Sequence, residues 1–96
     1  MKVLVKRSAV NAIESISDYI TTEINMPETA VKYTDRLIAF GFDLGKHYKG
    51  YTICKNKKLA SRGLHCATFE KKWVFAFKIG EKSIIIYYIL WAPSLK

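Results

Sequence analysis

Large apolar residues alternate with smaller or polar ones in the C-terminal third of the chain, and this alternation predicts strands. Between residues 73 and 79 every second side chain is large and apolar, a period of two that is typical of a strand; these positions are Trp73, Phe75, Phe77 and Ile79. After a turn at Gly80, the run from Ser83 to Trp91 is almost wholly apolar and isoleucine-rich, which favours a central strand. A buried helix is the alternative, but consecutive isoleucines favour extended backbone. With a further strand over Gly63 to Phe69, the pattern predicts an antiparallel meander.

The N-terminal half has the period of amphipathic helices. A brief strand at Val3 to Val5 precedes Ser8, which is a suitable N-cap. The first helix then carries apolar residues at three- and four-residue intervals and ends near Asn25; these are Ala9, Ile13, Ile16, Ile20 and Ile24. Pro27 suits the first turn of a second helix, and Gly45 is a natural stop. The connection between the helices is short, which predicts an antiparallel hairpin.

These elements predict one domain over residues 1–96 with an α+β fold of two layers. An N-terminal short strand is followed by an antiparallel helical hairpin that packs on a small antiparallel sheet, because each layer has one apolar side to bury. The segment from Gly45 to Ser61 lacks periodicity, and we expect a loop, or a loop with one short strand. The chain has no apolar run long enough to span a bilayer and does not begin with a secretory segment, so we expect a cytoplasmic protein without membrane attachment.

Cys54 and Cys66 are the two cysteines. In a cytoplasmic chain they are expected as free thiols, with Cys66 in the core. Together with His47 and His65 they are suitable zinc ligands, but their spacing matches no structural zinc pattern. His65 and Cys66 would also point to opposite faces of a strand. We therefore expect neither a metal nor a cofactor.

Positive charge is concentrated in one part of the chain. Residues 1–44 carry a net charge of −1, residues 45–72 carry +7 and residues 73–96 carry +2, which together give the formal net charge of +8. This segregation is typical of proteins with an anionic partner, of which nucleic acid is the commonest. The cations expected to form an anion-binding surface are Lys46, Lys49, Lys55, Lys57, Lys58, Arg62, Lys71 and Lys72. Tyr48 and Tyr51 lie among them and either stack on unpaired bases or pin the loop to the body of the protein.

The order of these elements resembles the RelE/ParE superfamily of toxins from bacterial type II toxin–antitoxin systems. The resemblance covers nearly the whole chain. It lies in the segment Ile16-Ser17-Asp18-Tyr19-Ile20 of the first helix, in Pro27 and Ala30 of the second, and in the closing run LASRGLHCATFEKKWVFAFKIGEKSIIIYYILW. That run looks like the family's arginine before a strand, followed by an aromatic-rich strand and a final isoleucine-rich strand.

The resemblance implies a small basic toxin that is neutralised by a co-expressed acidic antitoxin. RelE-like members cleave messenger RNA in the ribosomal A site without a metal, whereas ParE-like members poison DNA gyrase. Arg62 matches the family's arginine and would stabilise charge on a phosphate, and His65 would be the candidate acid or base. Trp91 stands where many cleaving members have a histidine, and indole does not exchange a proton as imidazole does, so Trp91 is instead core or a stacking platform. A lysine could replace the histidine as proton acceptor.

Three functions are therefore compatible with the sequence. The first is a toxin acting on translation, as a ribosome-dependent endoribonuclease, or on DNA gyrase. The second is a non-catalytic RNA-binding domain. The third is a protein-interaction module on a degenerate toxin scaffold.

Overall fold

Four strands form one mixed sheet, and two long helices cover one of its faces. The computed structural model describes residues 1–95. In chain order, the elements are β1 (Lys2–Val5), α1 (Arg7–Thr22), α2 (Pro27–His47), α3 (Lys57–Ser61), β2 (His65–Phe69), β3 (Trp73–Ile79) and β4 (Ser83–Trp91), with 3₁₀ turns at Tyr48–Gly50 and Ala92–Leu95. The order across the sheet is β1-β4-β3-β2. Within residues 1–95, no helix is both long and apolar enough to cross a membrane.

The predicted α+β fold and its meander are confirmed. Strands β2, β3 and β4 pair antiparallel, and β3 and β4 have the predicted bounds. β1 adds to β4 in parallel, with Val3 opposite Ile84 and Val5 opposite Ile86, so the sheet is mixed. This parallel pairing is possible because the helical hairpin carries the chain back across the sheet between β1 and the meander.

The boundaries of the two long helices differ slightly from the prediction. α1 begins at Arg7, so Ser8 lies inside the first turn and donates its hydroxyl hydrogen bond to the Tyr87 carbonyl instead of capping the helix. Asn25 adopts a left-handed conformation (φ 57°) between the two helices. α2 begins at Pro27 as predicted but continues past Gly45 to His47.

The main core lies between the helical hairpin and the sheet. Phe75 and Phe77 are completely enclosed there with Leu37 of α2 and Ile84 and Ile86 of β4. The alternation read from β3 therefore places its large side chains towards the helices. The other face of the sheet, which we call the outer face, carries a smaller cluster of Cys54, Leu59, Leu64 and Ala76.

The segment after α2 is more ordered than the predicted loop. Ile53 forms a bridge with His65, and Asn56 caps α3 by accepting a hydrogen bond from the Leu59 amide (3.2 Å). The Ile53 bridge brings this segment alongside β2, so that the Cα atoms of Cys54 and Cys66 lie 4.8 Å apart and their sulfurs form a disulfide. The prediction of free thiols was therefore wrong, because a spacing along the chain does not reveal that two segments will pair.

Candidate functional site

A bulge in β4 gives the outer face an unusual pair of aromatic side chains. Ala76 of β3 lies opposite Tyr88, but the next residue, Phe77, lies opposite Ile86, so Tyr87 is an extra residue on β4. Ile86 packs in the main core, whereas both Tyr87 and Tyr88 pack against the outer cluster. The bulge thus turns two consecutive tyrosines to the same face, which a regular strand would not do.

Arg62 lies over these two tyrosines. Its guanidinium carbon is 5.6 Å from the ring centroid of Tyr87 and 5.2 Å from that of Tyr88, and its Nη1 donates a hydrogen bond to the Tyr88 hydroxyl. The Lys6 ammonium is 5.1 Å from the Tyr87 ring on β4. We call these four residues, Lys6, Arg62, Tyr87 and Tyr88, the Arg62–tyrosine cluster.

Local structure around α3 sets the position of Arg62. Leu59 is the one buried residue of α3 and packs on the outer face with Leu64 and Ala76. Arg62 is the C-cap residue that follows α3, and its amide donates to the Leu59 carbonyl (3.1 Å). Gly63 then takes a left-handed conformation (φ 74°), which glycine adopts without steric cost, and the chain turns into β2.

The charges of the Arg62–tyrosine cluster are not neutralised by carboxylates. In residues 1–95 the one ion pair joins Arg36 and Glu70, away from this cluster. Arg62 and Lys6 are exposed while the two tyrosine rings are half-buried. The arrangement offers two cations to phosphate oxygens, two phenol hydroxyls as hydrogen-bond groups and ring surface for stacking, which is the chemistry of a nucleic-acid or acidic-peptide contact.

His65 is not part of this cluster. Its ring stacks on Phe77 at a centroid distance of 5.6 Å, and its Nδ1 donates to the Tyr51 carbonyl oxygen (3.1 Å). Phe77 faces the helices, so His65 lies on the side of the sheet opposite to Arg62. The two residues expected to act together in cleavage are therefore not brought together. The other histidine, His47, ends α2.

The lysines of the predicted anion-binding surface lie in three parts of the structure. Lys55, Lys57 and Lys58 line one open cavity of about 630 Å³ next to α3, and Lys46 and Lys49 lie at the end of α2 and in the following 3₁₀ turn. Lys71 and Lys72 instead occupy the turn after β2, a strand whose five residues span roughly 13 Å. A single continuous surface of all eight cations does not form, because β2 separates Lys71 and Lys72 from Lys55, Lys57 and Lys58.

The three aromatic residues proposed as stacking platforms have different environments. Tyr51 packs edge-to-face on Phe77 (6.3 Å), and Tyr48 packs against the main core, so both pin the loop to the body of the protein. Trp91 is 46% exposed and packs edge-to-face on Trp73 (5.1 Å). It lies three residues beyond Tyr88 along β4, roughly 10 Å away. Trp91 therefore belongs to a different surface from Arg62.

Two apolar grooves flank α1. The first, of about 350 Å³, lies between α1 and α2 above Phe75, with Ile13, Ile38 and Phe42 on its walls and Glu14 as its one charged residue. The second, of about 580 Å³, lies on the opposite side of α1 and is lined by aromatic side chains together with Lys72; these are Tyr19, Tyr33, Trp73 and Trp91. Phe42 and Tyr19 are more than half exposed, so each groove presents apolar surface to the solvent.

The structure supplies no set of metal ligands. Among the residues that it describes, no three His, Cys, Asp or Glu side chains lie together as a metal site requires. Cys54 and Cys66, which were considered as zinc ligands together with His47 and His65, are joined in the disulfide, so their sulfurs are not free to bind a metal.

Sequence reasoning missed Lys6, Tyr87 and Tyr88. A signal was present, because two adjacent tyrosines interrupt an otherwise aliphatic strand, and one of them should then lie in the main core unless the strand bulges. The bulge itself depends on how β3 pairs with β4 and was not visible in the sequence.

A solved structure described as a chromosomal ParDE TA system from P. aeruginosa contains a chain with the same fold. The TM-score is 0.78, the sequence identity is 20%, and the match covers 95% of each chain. The RelE/ParE-like fold expected from the sequence is thereby confirmed. The sequence matches no protein-family model and no curated protein.

Proposed function

We propose that this chain is the toxin of a type II toxin–antitoxin pair and that it arrests growth in the cytoplasm until an acidic antitoxin covers it. The observation that carries the proposal is the fold shared with a chain of the ParDE TA system over 95% of both chains. One scaffold can host several functions, so the proposal also draws on the surface of this chain. Two features of that surface support it, namely the uncovered grooves and the Arg62–tyrosine cluster.

The distribution of charge suits an amphipathic antitoxin. Residues 7–47, which span both long helices, carry six acidic and four basic residues, a net charge of −2, and the remainder of the chain carries +10. An acidic segment of the antitoxin would therefore bind the sheet side, while its apolar residues would fill the groove between Ile13 and Phe42. Such a partner would cover both the exposed apolar surface and the cations.

As its target we propose DNA gyrase, bound without covalent chemistry. Cleavage of RNA needs a proton acceptor beside the charge-stabilising cation. His65 lies across the sheet from Arg62, and His47 lies at the end of α2, so neither imidazole accompanies the guanidinium. The neighbour's description as a ParDE system agrees with this choice.

Ribosome-dependent cleavage of messenger RNA is the second candidate, and the Arg62–tyrosine cluster favours it. Arg62 can stabilise charge on a phosphate, and the Tyr88 hydroxyl is already hydrogen-bonded to it. Lys6 and the Tyr87 ring would bind the adjoining nucleotide. This reaction would use no metal, since its parts are a 2′-hydroxyl, a proton acceptor and a cation.

Expression from a tightly repressed promoter tests the proposal. We expect growth arrest, and we expect relief when the small acidic protein of the neighbouring gene is co-expressed. Arg62→Gln should abolish or strongly weaken the arrest, whereas Lys32→Gln, which removes the same charge from exposed α2, should leave it unchanged. Normal growth at high expression of the unaltered chain would refute the proposal.

The two targets are separated by assaying gyrase supercoiling and cell-free translation side by side with the purified chain. Inhibition of supercoiling alone supports the gyrase proposal, and cleavage of ribosome-bound messenger RNA supports the second candidate. If the chain binds single-stranded RNA but affects neither assay, the non-catalytic RNA-binding function replaces both.

A further inference from the structure

We propose that the Cys54–Cys66 disulfide is a redox modification site whose opening by a dithiol reductant releases α3 and Arg62 from the outer face. The inference deepens the proposed function, because it rests on the Arg62–tyrosine cluster being the surface that acts on the target. It goes beyond that function in making the action depend on the oxidation state of the chain.

The disulfide encloses a strongly cationic stretch of the chain. Its two cysteines are 12 residues apart in sequence, and between them lie α3 and four cations, namely Lys55, Lys57, Lys58 and Arg62. α3 has five residues and buries only Leu59, so its own packing is slight. The disulfide, which closes the loop between Cys54 and Cys66, is therefore a principal restraint on the position of Arg62.

The disulfide lies beside an open cleft. Both cysteines line an open cleft of about 290 Å³ with Thr52, Lys55 and Leu95. Cys54 is only 4% exposed, whereas Cys66 is half-buried, so we place the first attack of a reductant at Cys66. The Lys55 ammonium at this cleft favours an approaching thiolate.

Opening the disulfide should leave the rest of the fold intact. The main core, with Leu37, Phe75 and Phe77, contains neither cysteine. Two backbone hydrogen bonds would still hold the segment near β2, from the Cys54 amide to the Leu64 carbonyl (2.9 Å) and from the Cys66 amide to the Thr52 carbonyl (3.2 Å). The expected change is therefore local loosening of α3 and of the residues around it.

The reaction is a thiol–disulfide exchange with a dithiol. One reductant thiolate attacks Sγ of Cys66, the protein S–S bond breaks, and the Cys54 sulfur leaves as a thiolate that takes up a proton. The second reductant thiol then attacks the mixed disulfide, releases Cys66 as a thiol and forms a disulfide within the reductant. Two electrons pass from the reductant to the protein, and the two cysteines end protonated.

Hydrogen exchange followed by mass spectrometry tests the inference on the full chain, oxidised or treated with dithiothreitol. We expect amides of residues 57–64 to exchange on the order of tenfold to a hundredfold faster after reduction, while those of β3 and of the Glu70–Lys72 turn keep their rates. The Cys54→Ser/Cys66→Ser variant should exchange like the reduced chain and should not respond to dithiothreitol. Equal rates in residues 57–64 before and after reduction would overturn the inference, as would equal acceleration throughout β3.

A second measurement connects the switch to the site and keeps it distinct from the proposed function. The affinity for a short fluorescein-labelled oligouridylate, used as a polyanion probe, should fall about fivefold or more on reduction. Faster exchange with unchanged affinity would refute regulation of the site. Failure of the chain to arrest growth would count against the proposed function, while the exchange rates would still decide whether the disulfide controls α3.

Discussion

Gly45, in the last turn of α2, packs against Met1 and Val3 at the first strand, and replacing it with alanine tests how closely these two elements pack. The N-terminal amine donates a hydrogen bond to the Gly45 carbonyl oxygen (2.8 Å). A Cβ atom at this position would lie 2.3 Å from the Met1 carbonyl oxygen and 3.1 Å from Cγ2 of Val3. The first atom belongs to the backbone, so the contact cannot be relieved by rotating a side chain.

The magnitude follows from two opposing effects. Alanine is favoured over glycine inside a helix by roughly 0.5–1 kcal/mol. Ordinary contact begins at 3.4 Å, so Met1 would have to move by about 1 Å from its present 2.3 Å separation. Overpacking of this kind costs about 1–3 kcal/mol, and the hydrogen bond from the N-terminal amine would weaken as well. We therefore expect Gly45→Ala to lower the free energy of unfolding by about 1–2 kcal/mol, despite its better helix propensity.

Thermal and urea unfolding, both under oxidising conditions, measure the effect. A loss of 1–2 kcal/mol corresponds to a fall in Tm of roughly 5–15 °C for a domain of this size. Gly50→Ala is the matched control, because no atom lies within 4 Å of a Cβ built there. It should be neutral or slightly stabilising. A Gly45→Ala protein as stable as the unaltered chain, or an equal loss in Gly50→Ala, would refute the reasoning.

Three further substitutions test the core, the partner groove and the tyrosine bulge. Leu37→Ala, at a fully buried position, should cost about 2–5 kcal/mol in urea unfolding, and a loss below about 1 kcal/mol would contradict the assignment of the core. Phe42→Asp should leave growth arrest intact but prevent rescue by the antitoxin, because it places a charge in the groove between α1 and α2. The control is Ala39→Asp, at an exposed position of α2. Normal rescue of Phe42→Asp would exclude this groove as the docking site. Ser8→Ala removes the hydrogen bond to the Tyr87 carbonyl, so it should lower the free energy of unfolding by up to about 1 kcal/mol and weaken growth arrest. Ser8→Thr, which keeps a hydroxyl, should restore growth arrest. Full activity of Ser8→Ala would show that this hydrogen bond does not position the Arg62–tyrosine cluster.

The periodic elements could be predicted because their signals are local. Alternation from Trp73 to Ile79 fixed both the bounds of β3 and the face that meets the helices. The start of α2 was predicted because Pro27 already has the φ angle of a first helical turn. Its end was misplaced because Gly45 serves the close approach of Met1 and not a helix stop.

The candidate site could be predicted only in part. Arg62 was identified from its place before β2, but its partners were not. Tyr87 and Tyr88 share a face only because of a bulge, and Lys6 reaches them because β1 pairs with β4. Conversely, Arg62 and His65 are three residues apart in sequence and yet lie on opposite faces of the sheet.

By itself, the sequence determined the strands, the helical hairpin, the two-layer α+β arrangement and the excess of positive charge, because each depends on residue type and on spacing along a single segment. The tertiary structure alone decided that Cys54 and Cys66 are joined, that Lys71 and Lys72 lie apart from Arg62, and that two tyrosines turn to the outer face. Those features depend on which segments become neighbours and in what register. Pairing between distant segments is set by the packing of the whole chain, which no local pattern encodes.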